Sequence, residues 1–312
     1  MKDQNNMKTS LTVPLQLFAL ALVLLAGACK AQKTADQKII ADGAELTLVA
    51  DDYEFTEGPA VDSKGDVYFT DQPNDRIMKW NASDNSVSEY MKPAGRSNGL
   101  YFDDEGNLLS AADEKNELWR IDPDKNVTVL TDGFEGKKLN GPNDLWVDGK
   151  GGIYFTDPYY QRSWWTHNEP PQEARSVYYL APGTDTPRVV GDIDFEQPNG
   201  IIGSPDGKLL YVSDIDAKKT YEYDIRDDGN LYSRKLYAEM GSDGMTIDNR
   251  GNVYLTGDGV TVFDKYGNQI QHIPVPETWT ANITFAGPDQ KTLFITAMDS
   301  VYTLEMVVHG VR

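Results

Sequence analysis

Short apolar runs rich in β-branched and aromatic residues, separated by turns rich in Asp and Gly, make up most of the chain after residue 30. Residues 60–61 and 67–69, for example, flank an Asp-Ser-Lys-Gly turn at 62–65. Such runs predict strands joined as hairpins. No segment in this region shows the 3.6-residue apolar period and the capping residues of an amphipathic helix. We therefore expect an all-β protein with little helix.

One pattern, a polar residue followed by a short strand, a turn and a second strand, occurs six times. The copies begin at Glu57, Asn98, Asn143, Asn199, Asp243 and Asn282. In every copy the turn residue lies eight positions later, at Gly65, Gly106, Gly151, Gly207, Gly251 and Gln290. Successive copies are 41, 45, 56, 44 and 39 residues apart, close to the length of a four-stranded propeller blade. The repeat predicts a six-bladed β-propeller with four-stranded blades.

The sixth copy is one strand short, because it ends after its third strand at residues 301–307. Residues 44–49, AELTLV, form a β-type run ahead of the first copy. We expect this N-terminal strand to complete the sixth blade and close the ring, since a closed ring leaves fewer exposed sheet edges.

The first residue of each copy opens the innermost strand of a blade, so these six side chains are expected to converge at one end of the central channel. Two are carboxylates and four are amides. Asn and Asp are also turn formers, which accounts for Asn98 and Asn199 without a ligand but explains Glu57 poorly. Carboxylate and amide oxygens together suit a hard cation. We expect one divalent ion at this mouth, Ca²⁺ in the first place and Zn²⁺, Mg²⁺ or Mn²⁺ as alternatives.

The N-terminal segment has the arrangement of an export signal. Lys2 and Lys8 precede an apolar run at 17–28, which is short for a membrane span. Ala-Gly-Ala-Cys at 26–29 resembles a bacterial lipobox, in which the cysteine is lipidated. We expect a signal peptide at 1–28, lipidation of Cys29, a polar tether at 29–43 and the propeller at 44–312. Ordinary cleavage beside an incidental cysteine is the alternative; in both cases the protein is exported, and with the anchor it is a periplasmic or cell-surface lipoprotein.

Composition narrows the class of partner. The 312 residues carry a formal net charge of −20, which argues against binding to nucleic acid. Hydrophobic residues make up 39% and charged residues 25%, as in a soluble globular protein. Cys29 is the only cysteine, so no disulfide forms within the chain. We expect a small-molecule partner, no nucleic acid, membrane contact only through the lipid anchor, and a monomer or weak dimer.

Several short motifs, in this order and spacing, resemble the gluconolactonase/senescence marker protein/regucalcin-like family of six-bladed propellers over roughly residues 46–303. They are EGP at 57–59, LNGPND at 139–144, YFTDP at 154–158, PNGI at 198–201 with SPDG at 204–207, and DGM at 243–245. The resemblance implies a divalent ion held by a set of two carboxylates and two amides, namely Glu57, Asn143, Asn199 and Asp243. Animal members carry a substrate-contacting arginine two residues before Asn143. Gly141 stands there in this chain, as in bacterial gluconolactonases, so sugar recognition stays open.

The resemblance implies a hydrolase that opens a lactone, with sugar-acid lactones such as gluconolactone as first candidates. A cation at the mouth can polarise a lactone or ester carbonyl for attack by water. We expect Asp243 to take the proton from that water, with a role as ligand alone as the alternative. The longest insertion, residues 158–175, is expected to form a substrate lid, although its aromatic side chains could simply pack on the blade tops. The predicted substrate contacts are Asn98, Asn143, Trp164, Trp165 and His167.

Other catalytic arrangements find little support in the sequence. It contains no G-x-S-x-G nucleophile elbow, and its three histidines do not have the spacing of zinc ligands. Asp157 and Asp214, which end second strands, are expected to form structural bonds to neighbouring blade loops; an approach of Asp214 to the ion stays open, but not as one of its ligands. Two other functions remain open: a metal-dependent esterase or phosphotriesterase, and a non-catalytic propeller that binds a ligand or calcium.

Overall fold

A computed structural model describes Met1 and residues 38–191 and 195–311. The chain divides into two compact units, residues 1–39 and residues 40–312, and the second is the one described below. The predicted signal peptide, Cys29 and the tether up to residue 37 lie outside the described residues.

Six antiparallel four-stranded sheets form the second unit, and we number them as blades 1 to 6 in chain order. Strand β1 (Thr47–Ala50) precedes blade 1. The strands of blades 1 to 3 are β2 (Thr56–Val61), β3 (Val67–Asp71), β4 (Arg76–Trp80), β5 (Val87–Met91), β6 (Ser97–Phe102), β7 (Leu108–Ala112), β8 (Glu117–Ile121), β9 (Val127–Thr131), β10 (Leu145–Val147), β11 (Ile153–Asp157), β12 (Ser176–Leu180) and β13 (Arg188–Val190).

Blades 4 to 6 repeat this arrangement. Their strands are β14 (Pro198–Gly203), β15 (Leu209–Asp214), β16 (Lys219–Ile225), β17 (Leu231–Ala238), β18 (Met245–Ile247), β19 (Val253–Gly257), β20 (Gly259–Phe263), β21 (Gln269–Ile273), β22 (Thr280–Ala286), β23 (Thr292–Ala297) and β24 (Ser300–Glu305). Within the described residues the only helix is a 3₁₀ turn at Gln72–Asn74, and none is long and apolar enough to cross a membrane. The predicted all-β six-bladed propeller is confirmed.

The ring is closed by strands from the two ends of the chain. The sixth sheet has the order β1-β24-β23-β22, so β1 supplies its outermost strand. Pairing is antiparallel, with Thr47 opposite Thr303 and Leu48 opposite Tyr302. The predicted N-terminal closing strand is confirmed, with bounds slightly later than residues 44–49. A sheet edge is thereby covered, and opening the ring would require breaking this ladder.

The hydrophobic core lies in layers between successive blades. Between blades 3 and 4, for example, Trp146, Tyr154 and Tyr223 pack with the aliphatic side chains of both sheets. Between blades 6 and 1, Phe69 and Phe294 pack with ring centroids 5.6 Å apart. Because each sheet buries both faces against neighbours, the second strands, such as β3 and β11, are buried along their whole length.

Adjacent inner strands approach closely at the axis because glycine follows the first residue of most copies. A Cβ atom on Gly58 would lie 2.0 Å from the Asn98 carbonyl oxygen of the next blade. One on Gly99 would lie 2.6 Å from the Asn143 carbonyl oxygen, to which the Gly99 N–H donates at 2.8 Å. A side chain at either position would push the blades apart. Glycine there holds the six repeat-opening residues close together.

A buried hydroxyl in each second strand fixes the start of an inner strand. These residues are Thr70, Ser110, Thr156, Ser213, Thr256 and Thr296, all at most 1% exposed. Thr70 Oγ1 donates to the Asn98 carbonyl at 3.1 Å, and Thr256 Oγ1 donates to the Ala281 carbonyl at 2.8 Å, each in the following blade. Because these bonds connect neighbouring blades at the channel mouth, they make the site's backbone rigid.

Candidate active site

The six repeat-opening residues form a ring at one mouth of the channel, which we call the mouth ring. It comprises Glu57, Asn98, Asn143, Asn199, Asp243 and Asn282. Each lies in, or two residues before, the inner strand of its blade. Five of the six are at most 6% exposed, and Asp243 is partly exposed. The structure therefore brings together all four predicted metal ligands and both Asn residues predicted to contact substrate.

Hydrogen bonds connect ring members across blade boundaries. Asn199 Nδ2 donates to Asp243 Oδ1 at 2.9 Å, which joins blades 4 and 5. Asn282 Nδ2 donates to Glu57 Oε2 at 3.2 Å, which joins blades 6 and 1. The backbone N–H of Gly58 donates to the same Glu57 oxygen at 2.9 Å. Both carboxylates are thus held in fixed orientations by donors.

A third carboxylate lies at the ring, and the sequence pattern did not single it out. Asp144 takes the place that glycine has after the first residue of four other copies. Its side chain is buried, and Oδ1 accepts from the Leu145 N–H at 2.9 Å. The same oxygen lies where a Cβ atom on Gly99 would come within 2.7 Å of it. The departure from glycine was the available sequence signal for this residue.

Burial raises the pKa of all three carboxylates, and the charge of Asp243 raises the pKa of Glu57 and Asp144 further. Burial, and then the charge of Asp243, raise the pKa of Glu57 well above its usual value. Burial raises the pKa of Asp144 to about 7, and the charge of Asp243 adds to this. Desolvation raises the pKa of Asp243 to about 6, against the hydrogen bonds from Trp279 and Asn199. The mouth ring therefore concentrates negative charge that a cation would neutralise.

The donor set fits a hard divalent cation. Asn98 Oδ1 and Asn199 Oδ1 are buried and accept no hydrogen bond from any residue that the structure describes, so two carbonyl oxygens are left without a donor beside the carboxylates. Among the described residues, no group of three or more His, Cys, Asp or Glu side chains is arranged to hold a metal. A metal here would have to use amide oxygens together with carboxylates. Ca²⁺ accepts such oxygen ligands, whereas zinc sites usually include His or Cys.

Trp279, in the segment before β22, is a further residue that the sequence pattern missed. Its Nε1 donates to Asp243 Oδ2 at 2.6 Å. Together with the bond from Asn199 to Oδ1, this leaves each oxygen of Asp243 with one donor. The tryptophan belongs to no repeated motif, so no sequence signal placed it here. It fixes the rotation of the Asp243 carboxylate.

Residues 158–175 join β11 to β12 at the end of blade 3 where the mouth ring lies, and we call them the lid. Asn199 Nδ2 donates to the Tyr160 hydroxyl at 2.9 Å, which connects lid and ring directly. Arg162 Nε donates to Asp113 Oδ2 at 2.9 Å, and Trp165 Nε1 donates to the Asp113 carbonyl at 2.8 Å. Burial raises the pKa of Asp113 to about 6, while the charge of Arg162 acts in the opposite direction. These bonds attach the lid to blade 2.

The aromatic residues predicted to contact substrate occupy different positions in the lid. Trp165 stacks on His167, with centroids 4.8 Å apart and planes at 17°, and fills the space beside Gly141. Trp164 lies under the guanidinium of Arg96, whose Cζ is 4.5 Å from the ring centroid. Trp165 therefore supports the lid, which matches the packing alternative, and the Trp164 indole nitrogen is buried without a partner.

The two aspartates that end second strands have the predicted structural role. Asp157 accepts from the N–H groups of Asn140 and Gly141 at 2.9 and 2.8 Å. Asp214 accepts from the N–H groups of residues 196 and 197 at 2.9 and 2.8 Å. The role is structural as predicted, but each carboxylate fixes the loop that enters the inner strand of its own blade and not a loop of a neighbouring blade.

Known proteins are similar to this chain both in sequence and in architecture. The gluconolactonase of Zymomonas mobilis is 28% identical over 296 residues, covering 85% of this chain and 82% of that protein. The diisopropyl-fluorophosphatase of Loligo vulgaris is 27% identical, covering 80% and 88%. The structure of a gluconolactonase from Xanthomonas campestris superposes with a TM-score of 0.80 at 30% identity, covering 86% of this chain and 91% of that one. Residues 55–299 match the SMP-30/gluconolactonase/LRE-like region, and the chain belongs to this family.

Proposed function

We propose that this protein is a divalent-metal-dependent hydrolase that opens a lactone ring, most directly that of a sugar-acid lactone. The observation that carries the proposal is the mouth ring, where two carboxylates, with Asp144 beside them, lie at one end of the channel together with two amide oxygens that have no donor among the described residues. Relatives named gluconolactonase and lactonase support the class, a hydrolase acting on lactone esters. A carbonyl group bound at such a ring would lie beside residues that can hold a divalent metal ion for catalysis.

The ligands we assign to the metal are Glu57, Asn143, Asn199 and Asp243. A bound divalent ion supplies Lewis acidity, which withdraws electrons from the lactone carbonyl and offsets the negative charge that develops on its oxygen. We favour Ca²⁺, because the set combines carboxylate and amide oxygens without histidine or cysteine. The Asn143 backbone is fixed by the bonds from Gly99 and to Thr156, so its side chain is presented from a rigid support.

Asp243 is the residue we assign as general base. In the reaction, water oxygen bonds to the carbonyl carbon and Asp243 takes one water proton. The ring carbon–oxygen bond then breaks, and the proton passes to the departing oxygen, so the product is the open hydroxy acid. In the metal-free protein burial raises the pKa of Asp243, which favours acceptance of a proton by this carboxylate. Trp279 and Asn199 would keep the accepting oxygen aimed.

The test compares conservative ring variants with a carboxylate outside the ring. Glu57→Gln and Asp243→Asn should each lower kcat/KM for glucono-δ-lactone by about 100-fold or more, since each removes an ionised oxygen from the site. Glu117→Gln is the control, a largely buried glutamate on β8 whose partners are Trp119 and Lys138. Chelation should abolish activity, and added Ca²⁺ should restore it. Full activity in either ring variant would refute the assignment.

A second reaction is favoured by one observation. The squid relative is named as a phosphatase of a fluorophosphate ester, and the chain covers 88% of its length. The same ring could polarise a phosphoryl oxygen as well as a carbonyl. Assays with a fluorophosphate and with lactones, run on the same metal-loaded protein, separate the two: the lactonase assignment requires the larger kcat/KM to be with lactones.

We also propose that the protein is an exported lipoprotein anchored through Cys29. The apolar run at 17–28 and the Ala-Gly-Ala-Cys sequence support this. Cells labelled with radioactive palmitate should incorporate label into the wild-type protein and not into Cys29→Ser. Equal labelling of both forms would contradict the anchor.

A further inference from the structure

Two arginines from different parts of the fold meet at one tryptophan of the lid. The Cζ atom of Arg96, in the loop before β6, lies 4.5 Å from the Trp164 ring centroid. The Cζ atom of Arg162, within the lid, lies 5.6 Å from the same ring. Among the described residues, Asp113 is the one acidic side chain that forms a salt bridge with either arginine, and this side chain is 2% exposed. Asp75 Oδ1 also accepts from the backbone N–H of Arg96 at 2.8 Å, so two guanidinium groups stand with two carboxylates at this rim.

The free polar groups of this rim are donors. Arg96 Nε and Trp164 Nε1 are buried and have no hydrogen-bond partner within the described part of the chain. Arg162 uses Nε for Asp113 Oδ2, which also accepts from Gln72, and its two terminal nitrogens have no partner among the described residues. A ligand that satisfies such a set must bring acceptors, and an anionic group with several oxygens does this best.

One phenol ring separates this rim from the mouth ring. The Tyr160 hydroxyl is 2.9 Å from Asn199 Nδ2, a proposed metal ligand. The Arg162 Cζ atom is 5.6 Å from the centroid of the same tyrosine. The rim therefore adjoins the mouth ring through Tyr160. It is next to the place where a substrate bound at the mouth ring would end.

We propose that Arg162, with Arg96 and Trp164, forms a subsite for an anionic group, and that the preferred substrates are sugar-acid lactones bearing a second carboxylate or a phosphate. This rests on the lactonase function proposed above and adds its substrate class. Arg162 takes the specificity-determining role because its fork is oriented by the buried Asp113 while its terminal nitrogens remain free.

The turnover experiment measures kcat/KM at constant ionic strength for three lactones: neutral glucono-δ-lactone, a glucaric acid monolactone and 6-phosphoglucono-δ-lactone. We expect at least one anionic lactone to exceed the neutral one by tenfold or more, and the two anionic arms distinguish carboxylate from phosphate. In Arg162→Gln, this anionic-to-neutral ratio should fall at least tenfold. An unchanged ratio in Arg162→Gln overturns the proposal.

A matched control and a second variant test whether the effect is specific to the proposed subsite. Arg76 makes the same kind of pair with buried Asp71, and its side chain is 23% exposed, as is that of Arg162. Arg76→Gln should keep the wild-type ratio. Arg96→Gln, which removes the unpartnered Nε, should lower the ratio in the same direction as Arg162→Gln. If Arg162→Gln does not fold, Arg162→Lys replaces it: a point charge without the fork should retain only part of the preference.

Binding of the open acids separates this proposal from the lactonase assignment, because it needs no turnover. Calorimetry should show 6-phosphogluconate or glucarate binding at least tenfold more tightly than gluconate, and Arg162→Gln should remove the difference. If no lactone is hydrolysed but this difference is found, the subsite stands and the lactonase assignment fails. If lactones are hydrolysed and Arg162→Gln matches wild type in both assays, the subsite is refuted and the lactonase assignment stands.

Discussion

At the residue scale, the site contains buried polar atoms that lack a hydrogen-bond partner among the described residues and carboxylates that lie close to other carboxylates. Asn199 illustrates the first case: its Nδ2 donates to Asp243 and Tyr160, while its buried Oδ1 accepts from nothing. Asp144 illustrates the second, since its carboxylate lies among like charges and its pKa is raised to about 7. Both features cost stability in the metal-free protein and would be relieved by a cation.

Replacing Trp279 by phenylalanine tests how Asp243 is positioned. The variant keeps an aromatic ring but loses the donor to Asp243 Oδ2 at 2.6 Å. We expect kcat for a lactone to fall about tenfold because the base loses its orientation, with KM and the Ca²⁺ dissociation constant changed by less than about threefold. Steady-state kinetics and calorimetry measure these quantities. A large loss of metal affinity with normal kcat would instead make Trp279 a support of the metal site.

Asp144→Asn should make the metal-free protein more stable and weaken its binding of Ca²⁺ about tenfold or more. The change removes a buried charge while the amide oxygen can still accept from Leu145. Asp157→Asn is the matched control, because burial raises the pKa of Asp157 to about 7 as well, and its oxygens accept the N–H groups of Asn140 and Gly141 instead of lying at the mouth ring. That control should lower stability by about 1–3 kcal/mol and leave Ca²⁺ affinity unchanged. Thermal melts and calorimetry decide; a less stable Asp144→Asn protein would contradict the role given to Asp144.

At the scale of elements, the closing strand and the lid make different kinds of contact. Strand β1 pairs with β24 through a ladder that joins the two ends of the ring, and Val49 and Ala50 pack on the aromatic cluster between blades 6 and 1. The lid instead contributes polar contacts, through Tyr160 to the mouth ring and through Arg162 to blade 2. The strand therefore covers a sheet edge and part of the core, whereas the lid is attached to the mouth ring and to blade 2 by polar contacts.

Deletion of residues 44–50 should destabilise the entire ring, since it exposes β24 and uncovers part of the cluster around Phe69 and Phe294. We expect a melting temperature lower by about 5 °C or more and a loss of cooperativity, measured by calorimetry. A truncation that removes residues 30–37 serves as the control and should melt like the full mature chain. Unchanged melting after deletion of 44–50 would show that the ring does not depend on β1.

At the scale of the whole molecule, charge links metal binding to pH. The pKa values of Glu57, Asp144 and Asp243 are all raised in the folded protein, so the metal-free fold retains protons that the unfolded chain releases. For raised carboxyl pKa values, stability is fully present below about pH 4 and falls as the pH rises toward 7. A divalent ion favours the ionised forms, so its stabilising effect must increase over the same range.

The metal-free protein should therefore lose more stability between pH 5 and pH 8 than Asp144→Asn does, and Ca²⁺ should raise the melting temperature more at pH 8 than at pH 5. Scanning calorimetry with and without chelator at both values measures this. The difference between wild type and Asp144→Asn isolates the ring from the other acidic groups of the protein. Equal pH dependence in the two proteins would contradict the proposed charge crowding.

The sequence by itself determined the number of blades, the closing strand and the composition of the mouth ring. It could do so because all six copies keep the same spacing. The polar first residue and the turn residue are eight positions apart, as in Glu57 and Gly65, and this spacing fixes which residue opens each inner strand. Close packing at the axis can also be inferred from the sequence, since glycine follows four of the six members of the mouth ring.

Only the tertiary structure decided which side chains outside that register reach the site. Trp279 contacts Asp243 across 36 residues of sequence, and Arg162 contacts Asp113 across 49. Such pairs come from loops between strands, whose paths depend on packing against neighbouring blades rather than on any local pattern. The third carboxylate, Asp144, was visible as a departure from glycine, but its effect depends on distance to the charges of other blades. That distance, and hence the electrostatics of the site, exists only once the ring has closed.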